Sequence, residues 1–440
     1  KFDIIQASCI ATWSATSAGA FSLAENSLYT VEGWRIFFDH LEPDGVLSFN
    51  RWYAPDYPAQ LMRMATIASV LLKERGVKDP AKHIAVVRNP IIFTGGEIGQ
   101  KVATNFPSGT IIVSKSPFSE ATLKRLRDAA KKLAFKVEFD PGGYRNVLFE
   151  KVIKNAGDKA FHASTQLDLT PPTDDRPFFF YMLRLKDVFS GKHLKFQEQR
   201  FTLEGITILG ILLIVSIVLC ILFIVLPLFI IRKRVPLPAG SALFGIAFFG
   251  AIGLGYILIE IGQLQRLIIF LGHPIYSMTV VLFSMLFASG IGSAASGYFL
   301  KKRQPTPSMI AIVMGLLLVV LIFVTFYQTS IISGFVLGSI GTRIAISLLF
   351  LLPMGFLMGL PFPLGMKLAA ARSPEHTPWF WAVNGAASVV ASVLSACISI
   401  TYGFTFTLTL GLICYVVAVI FLIILSAGAG GRGGEGAIKS

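Results

Sequence analysis

Side chains able to do chemistry are scarce in the second half of this 440-residue chain, so the few present stand out. The segment from Gly255 to Arg266 spaces Glu260, Gln263 and Arg266 at three-residue intervals, so that on an α-helix Glu260 shares a face with Gln263, and Gln263 with Arg266. A carboxylate, an amide and a guanidinium within an apolar run can hold an amine or relay a proton. The same residues can instead anchor a helix where it emerges from lipid, with Glu260 paired to a neighbour, and both readings stand. Asn384, in Asn384-Gly385-Ala386-Ala387-Ser388, suits a hydrogen bond between closely packed helices. In the first half, Asp174-Asp175-Arg176 runs directly into Pro177 and the aromatics Phe178 to Tyr181. That charged knuckle can close a cleft, or dock its domain on an apolar body through the aromatics. Cys9, Cys220, Cys397 and Cys414 show no CxxC spacing, so neither a metal site nor a disulfide framework follows.

The elements that must position these residues divide sharply. Up to about residue 205 the chain carries 27 of its 39 Lys and Arg and 22 of its 25 Asp and Glu, a net +5. The remainder holds 12 basic and three acidic residues and is built of apolar runs. Runs long enough to cross about 30 Å of hydrocarbon occur at 206–231, 241–262, 275–299, 308–327, 344–366, 379–401 and 404–426. The formal charge of +14 is therefore largely an anchoring charge at the ends of spans, and no nucleic-acid partner is expected. If all seven runs span, ten basic residues fall on one side and only Arg266 and Arg343 on the other, which assigns the first side to the cytoplasm. Seven spans place the opening domain outside the cytoplasm, whereas six place it inside. Within 344–366, Pro353, Pro361 and Pro363 with Gly355, Gly359 and Gly365 demand a kinked or broken helix. Such a break either shapes the packing or lines a substrate site, while Gly290 to Gly297 reads as a small-residue packing face.

The opening domain alternates strand and helix: a strand at Phe2 to Ile5, a helix over Leu28 to Leu41, a Glu42-Pro43-Asp44-Gly45 turn and a strand at Val46 to Phe49. A helix at Tyr57 to Arg75 and a strand at His83 to Arg88 follow, the order that builds a parallel, doubly wound sheet. Gly109 to Ser114, a helix from Ser119 to Leu133 and Phe135 to Phe139 complete the domain, with Ser119 as N-cap. Because Lys1 leads straight into a strand, the pattern reads as the second half of such a sheet. The fold class expected is thus α/β plus all-α membrane. A partial Rossmann-like domain over 1–170 leads through a knuckle and membrane-surface linker over 171–204 to a bundle of six or seven helices over 205–427. A disordered Gly-rich tail is expected over 428–440.

Several of these segments resemble one family. Phe2-Asp3-Ile4-Ile5, Phe21 to Tyr29 and Leu41 to Leu47 resemble the second half of a spermidine synthase-like domain. Asp174 to Phe180, Gly255 to Gly262, Leu271-Gly272-His273-Pro274, Met358 to Gly365 and Trp381 to Ala386 resemble its multi-span membrane members. The resemblance implies a methyltransferase-type Rossmann fold that moves an aminopropyl group from decarboxylated S-adenosylmethionine, or a relative such as S-adenosylmethionine, onto a polyamine or other small amine. It also implies a bacterial inner (plasma) membrane location and contact with the lipid bilayer. The soluble enzymes end the first strand seen here in a carboxylate, where this chain reads Gln6-Ala7-Ser8-Cys9-Ile10, and their cofactor turn and ribose acid would precede Lys1. Gly95-Gly96-Glu97-Ile98-Gly99 does not match the GxGxxG pattern and reads as a turn. If the site is active, the candidates after the first strand are Thr12, Ser17, Glu25, Asn26 and Tyr29, with Glu25 the carboxylate that orients the amine and Asp174 and Asp175 closing the cleft. Two alternatives stay open: a small-amine transporter whose α/β domain is non-catalytic, and an S-adenosylmethionine-dependent methyltransferase of unknown acceptor.

Overall fold

The computed structural model describes residues 1–8, 25–89, 108–184, 187, 200–227, 239–299, 305–372 and 374–430. Thr12, Ser17, the Gly95 to Gly99 segment, the basic linker over 188–199, the basic loops at 232–234 and 301–303, and 431–440 lie outside the described residues. The chain divides into two compact units, Lys1–Ile208 and Leu209–Ser440.

Among the described residues the first unit has five strands, β1 (Phe2–Ser8), β2 (Leu41–Trp52), β3 (Ile84–Asn89), β4 (Ser108–Ser114) and β5 (Lys136–Phe139), in the spatial order β1-β2-β4-β3-β5. Only β1 and β2 pair in parallel, and every other neighbour pair is antiparallel, so the sheet is mixed rather than parallel as expected. The alternation of strand and helix is nevertheless real. Helix α1 (Val31–His40) links β1 to β2, and α2 (Ala59–Glu74) carries the chain from β2 to β3, which runs in the same direction. Strand β4 then inserts between β2 and β3 in the opposite sense, a non-local event that leaves no mark on the local pattern. The expected turn at Glu42 to Gly45 lies within β2, where the register with β1 slips between Phe2↔Leu41 and Ile4↔Val46.

Helix starts follow side-chain capping. Thr30 accepts a hydrogen bond from the Gly33 amide at 3.0 Å and so begins α1 three residues later than the periodicity suggested. Ser119 caps α3 (Glu120–Lys132) through the Thr122 amide at 3.2 Å. Helices α4 (Val147–Lys154) and α5 (Lys159–Ser164) start from Asn146 and Asp158 in the same way. Helix α2 is buried without interruption from Ala59 to Ser69, packed between the sheet and the segment after α5.

Arg200–Cys220 forms α6, which continues as a π-helical turn over Ile221–Val225. The second unit contains α7 (Ala239–Leu271), α8 (Pro274–Phe299), α9 (Pro307–Ser333), α10 (Ile340–Gly359), α11 (Pro361–Arg372), α12 (Thr377–Tyr402) and α13 (Phe404–Gly430). Among the described residues six helical segments are long and apolar enough to cross a membrane, and the first expected run contributes a shorter apolar helix over Ile208–Ile224. The chain is an integral membrane protein. Its outward faces carry Phe283, Ile312 and Leu349 at 67, 70 and 71% exposure, a surface suited to hydrocarbon and not to water. Inside, Phe248, Leu267, Met285, Met314 and Leu351 form a continuous core.

The proline-rich run breaks at Leu360, between α10 and α11, while Pro353 stays within α10. Glycines bring α8 and α10 together there. A methyl group at Gly292 would lie 2.1 Å from the Phe356 carbonyl oxygen, and one at Gly359 would lie 2.1 Å from that of Ser289. Gly290 and Gly297 face open space, so the packing face is narrower than the run of small residues. Residues 428–430, expected to open the disordered tail, end α13 as helix.

Candidate functional site

In an open α/β sheet ligands bind beyond the carboxyl ends of the parallel strands. Here those ends are Ser8 of β1, paired with Asn50, and Arg51 and Trp52 of β2. Tyr29, on the short helical turn Ser27–Tyr29, is wholly buried against them. Its ring meets Phe49 edge-on at 5.5 Å and stacks on Phe179 at 4.4 Å. Arg51 donates to the Tyr29 hydroxyl at 3.4 Å and to Gln60 Oε1 at 3.0 Å, and its guanidinium lies 4.6 Å from the centre of the Phe180 ring.

Glu25 precedes this turn. One of its carboxyl oxygens, Oε1, is buried with no hydrogen-bond partner, and burial pushes its pKa up to about 8. The Tyr181 hydroxyl is likewise pushed up, first by burial and then by the Glu25 charge. Asn26 contributes its main chain, the amide donating to the Pro177 carbonyl at 2.9 Å.

The knuckle after α5 completes the site. Thr30 donates to Asp174 Oδ1 at 2.7 Å, the Asp174 amide donates to Glu32 Oε2 at 3.0 Å, and the Val31 amide donates to the Pro172 carbonyl at 3.0 Å. Burial raises the pKa of both Glu32 and Asp174, with Arg35 partly opposing it. Asp175 is half-buried within the turn bridged by Thr173 and Arg176, and Arg176 pairs with Asp168 at 3.3 Å. Phe178, Phe179 and Phe180 are 1, 0 and 4% exposed, Phe179 stacking on Tyr29 and Phe180 lying against the Arg51 guanidinium of their own unit. They turn inward because Arg63 holds their main chain. Its Nη1 donates to the carbonyls of Phe178, Phe179 and Tyr181 at 3.1, 2.7 and 2.8 Å, and its Nε donates to that of Thr170 at 2.9 Å.

Of the residues expected near the first strand, the structure brings Glu25, Asn26, Tyr29 and Asp174 to one neighbourhood. Arg51, Arg63 and Glu32 were missed. For Arg63 a signal exists: a guanidinium in the middle of Leu61-Met62-Arg63-Met64-Ala65 must find acceptors inside the protein. Arg51 carries a weaker one, as a cation ending a strand that otherwise alternates. Chemically, the first-unit cluster offers a carboxyl of raised pKa, aromatic walls and a guanidinium with neutral partners only.

The polar stripe of the second unit lies on α7. Arg266 is 5% exposed and donates to the carbonyls of Val324 and Thr325 at 3.0 and 3.2 Å, to Gln328 Oε1 at 3.4 Å and to Thr405 Oγ1 at 3.0 Å. Glu260 and Gln263 are 6 and 0% exposed, yet Glu260 Oε1 and both amide atoms of Gln263 have no partner. The expected pairing of Glu260 with a neighbour therefore does not satisfy that oxygen. Asn384 stands apart from them, its amide donating across to the Phe249 carbonyl at 3.0 Å where Gly253 lets α7 and α12 approach. No group of three or more metal-ligating side chains occurs among the described residues. No family model matches the chain, and neither the curated proteins nor the solved structures contain a match to it.

Proposed function

We propose that the first unit is the amine-handling part of a spermidine synthase-like transferase, fixed to a bacterial inner (plasma) membrane by the helix bundle that follows it. The observation that carries this reading is Glu25: a carboxyl with a buried, unpartnered oxygen, four residues before the Tyr29 that packs at the carboxyl end of a parallel strand pair. An amine nucleophile must lose a proton as it attacks, and a carboxyl poised near the working pH is suited to take it. Glu25 supplies that acceptor at Oε1, Tyr29 and Tyr181 wall the site, and the Asp174 knuckle holds the Thr30 end in place through the Thr30 hydroxyl. The parallel β1–β2 pair joined through α1, and the α2 crossover to a strand of the same direction, support a Rossmann-like origin for the sheet.

The described residues fit only the acceptor side. Gln6, Ala7 and Ser8 end β1 without a carboxylate, and no glycine-rich turn lies among the described residues, so none is assigned to hold decarboxylated S-adenosylmethionine or S-adenosylmethionine. A donor of that class, when bound, supplies the carbon that the amine attacks.

The test is transfer to 1,4-diaminobutane from decarboxylated S-adenosylmethionine by the full chain in detergent. Turnover should rise with pH through about 8, because the Glu25 carboxyl accepts a proton only once it has lost its own. Glu25→Gln should lower turnover by roughly 10²- to 10⁴-fold and flatten that rise. Unchanged turnover in Glu25→Gln removes the residue from the reaction, and methylated product from S-adenosylmethionine would move the reading to a methyltransferase.

A further inference from the structure

The two buried charges of α7 are treated unequally. Arg266 spends its donors on the protein itself, taking the carbonyls of Val324 and Thr325, the Gln328 amide oxygen and the Thr405 hydroxyl. Glu260, six residues earlier on the same helix, keeps Oε1 without a partner, and Gln263 between them keeps both its oxygen and its nitrogen without one. These two side chains are 6 and 0% exposed, so water outside the protein does not reach them. Buried acceptors left open in this way call for a donor. Arg266 already donates to four acceptors, so a cation carrying N–H groups at the Glu260 end would satisfy the open oxygens of Glu260 and Gln263.

The surroundings fit such a cation. Tyr256, one turn before Glu260, shares a hydrogen bond with Ser289 of α8 at 3.2 Å, and the Tyr415 ring of α13 packs against α7 at Gly255, where a methyl group would meet it at 3.1 Å. Two phenol rings near a carboxylate provide faces for a cation as well as oxygen acceptors. Two oxygens on one helix face are few for a metal cation, which would ask for about six in a cage. They suit the directional hydrogens of an ammonium group. An isolated carboxyl inside a membrane bundle is also where a substrate pathway is expected.

We propose that Glu260 and Gln263 form a binding site within the helix bundle for a small organic ammonium ion. The ion's N–H groups donate to Glu260 Oε1 and Gln263 Oε1, and its charge balances the Glu260 carboxylate. This site rests on the second unit alone and stands whether or not the first unit is a transferase.

The experiment titrates the full chain in detergent with n-butylammonium, following thermal stabilisation and binding heat, with sodium, potassium and tetramethylammonium in parallel at equal ionic strength. The expected result is saturable stabilisation by n-butylammonium and none by the other three, which lack N–H donors. Glu260→Gln and Gln263→Met should each weaken binding tenfold or more. Both should leave the melting temperature of the ligand-free protein unchanged or raise it, because the groups removed have no partner to lose. Equal binding in wild type and Glu260→Gln overturns the proposal, as does an equal response to sodium, potassium or tetramethylammonium, or no saturable response at all. Failure of both variants to fold overturns it too, since that would show the two side chains to be structural partners in the free protein.

Discussion

Each unit of this protein holds a deeply buried arginine and a glutamate with a buried, unpartnered carboxyl oxygen, and the two units handle them alike. Arg63 and Arg266 both donate chiefly to main-chain carbonyl oxygens, whereas Glu25 and Glu260 both keep an oxygen with no partner. These two guanidinium groups are structural fasteners, and these two carboxyl groups are left with an open oxygen. The difference lies in access. Glu25 is only partly covered at the level of the residue and belongs to the charged first unit. Glu260 is 6% exposed inside a bundle whose outer surface is apolar, so anything that reaches it must travel along helices.

The largest effect expected from breaking this comparison is at Arg63. Arg63→Met would leave the buried carbonyls of Thr170, Phe178, Phe179 and Tyr181 without donors, at a cost of about 1–3 kcal/mol for each group that finds no other partner. Hydrogen exchange across residues 170–181 should rise by orders of magnitude. Arg63→Lys should fail as well, because one ammonium cannot reach the spread of acceptors that a planar fork does. Full stability of either variant would mean that the aromatic knuckle is held by packing alone.

The next effect tests the open carboxyl of the first unit. The pKa of Glu25 is raised in the folded state to about 8, so between its ordinary value and 8 the folded protein keeps a proton that the unfolded chain has released. Stability should therefore fall as pH rises through that window, by at most about 1.4 kcal/mol per pH unit from this group. Glu25→Gln removes the dependence, and its advantage in melting temperature over wild type should grow from pH 5 to pH 8. A difference independent of pH would show that Glu25 is charged and paired in the folded protein.

Smaller effects probe how the bundle is held together without saturated carboxyls. Gly292→Ala drives a methyl group onto the Phe356 carbonyl and should cost about 1–3 kcal/mol. Gly290→Ala, on the same helix but facing open space, should be neutral or stabilise by up to about 1 kcal/mol through helix propensity. Melting curves of the pair in detergent separate close packing from composition. Last, Asn384→Ala removes the hydrogen bond to the Phe249 carbonyl and should cost only about 0.6 kcal/mol, typical of hydrogen bonds between membrane helices.

Much of this architecture is legible in single residues. Ser119 announces the start of α3, Leu360-Pro361 marks a helix break, and Asn384 among small residues announces a cross-helix bond, because caps, prolines and close approaches are local constraints. Apolar runs of about 20 residues reveal spans for the same reason. The candidate site of the first unit was half legible. Glu25 and Tyr29 follow the first strand in sequence, but Arg51 and Arg63 act on residues more than a hundred positions away or on a turn before them, and no spacing rule connects them.

From its sequence alone this chain is determined to be a charged α/β domain followed by an apolar helical part, with few polar groups inside the latter. Those are statements about which solvent each segment tolerates, and hydrophobicity and charge are properties of residues one by one. Only the tertiary structure decided that β4 enters between β2 and β3, that Phe178 to Phe180 turn into their own domain, and that Arg266 is satisfied while Glu260 is not. Each of these depends on which distant atoms come within hydrogen-bonding or packing distance, and that is settled when the whole chain competes for the same buried space.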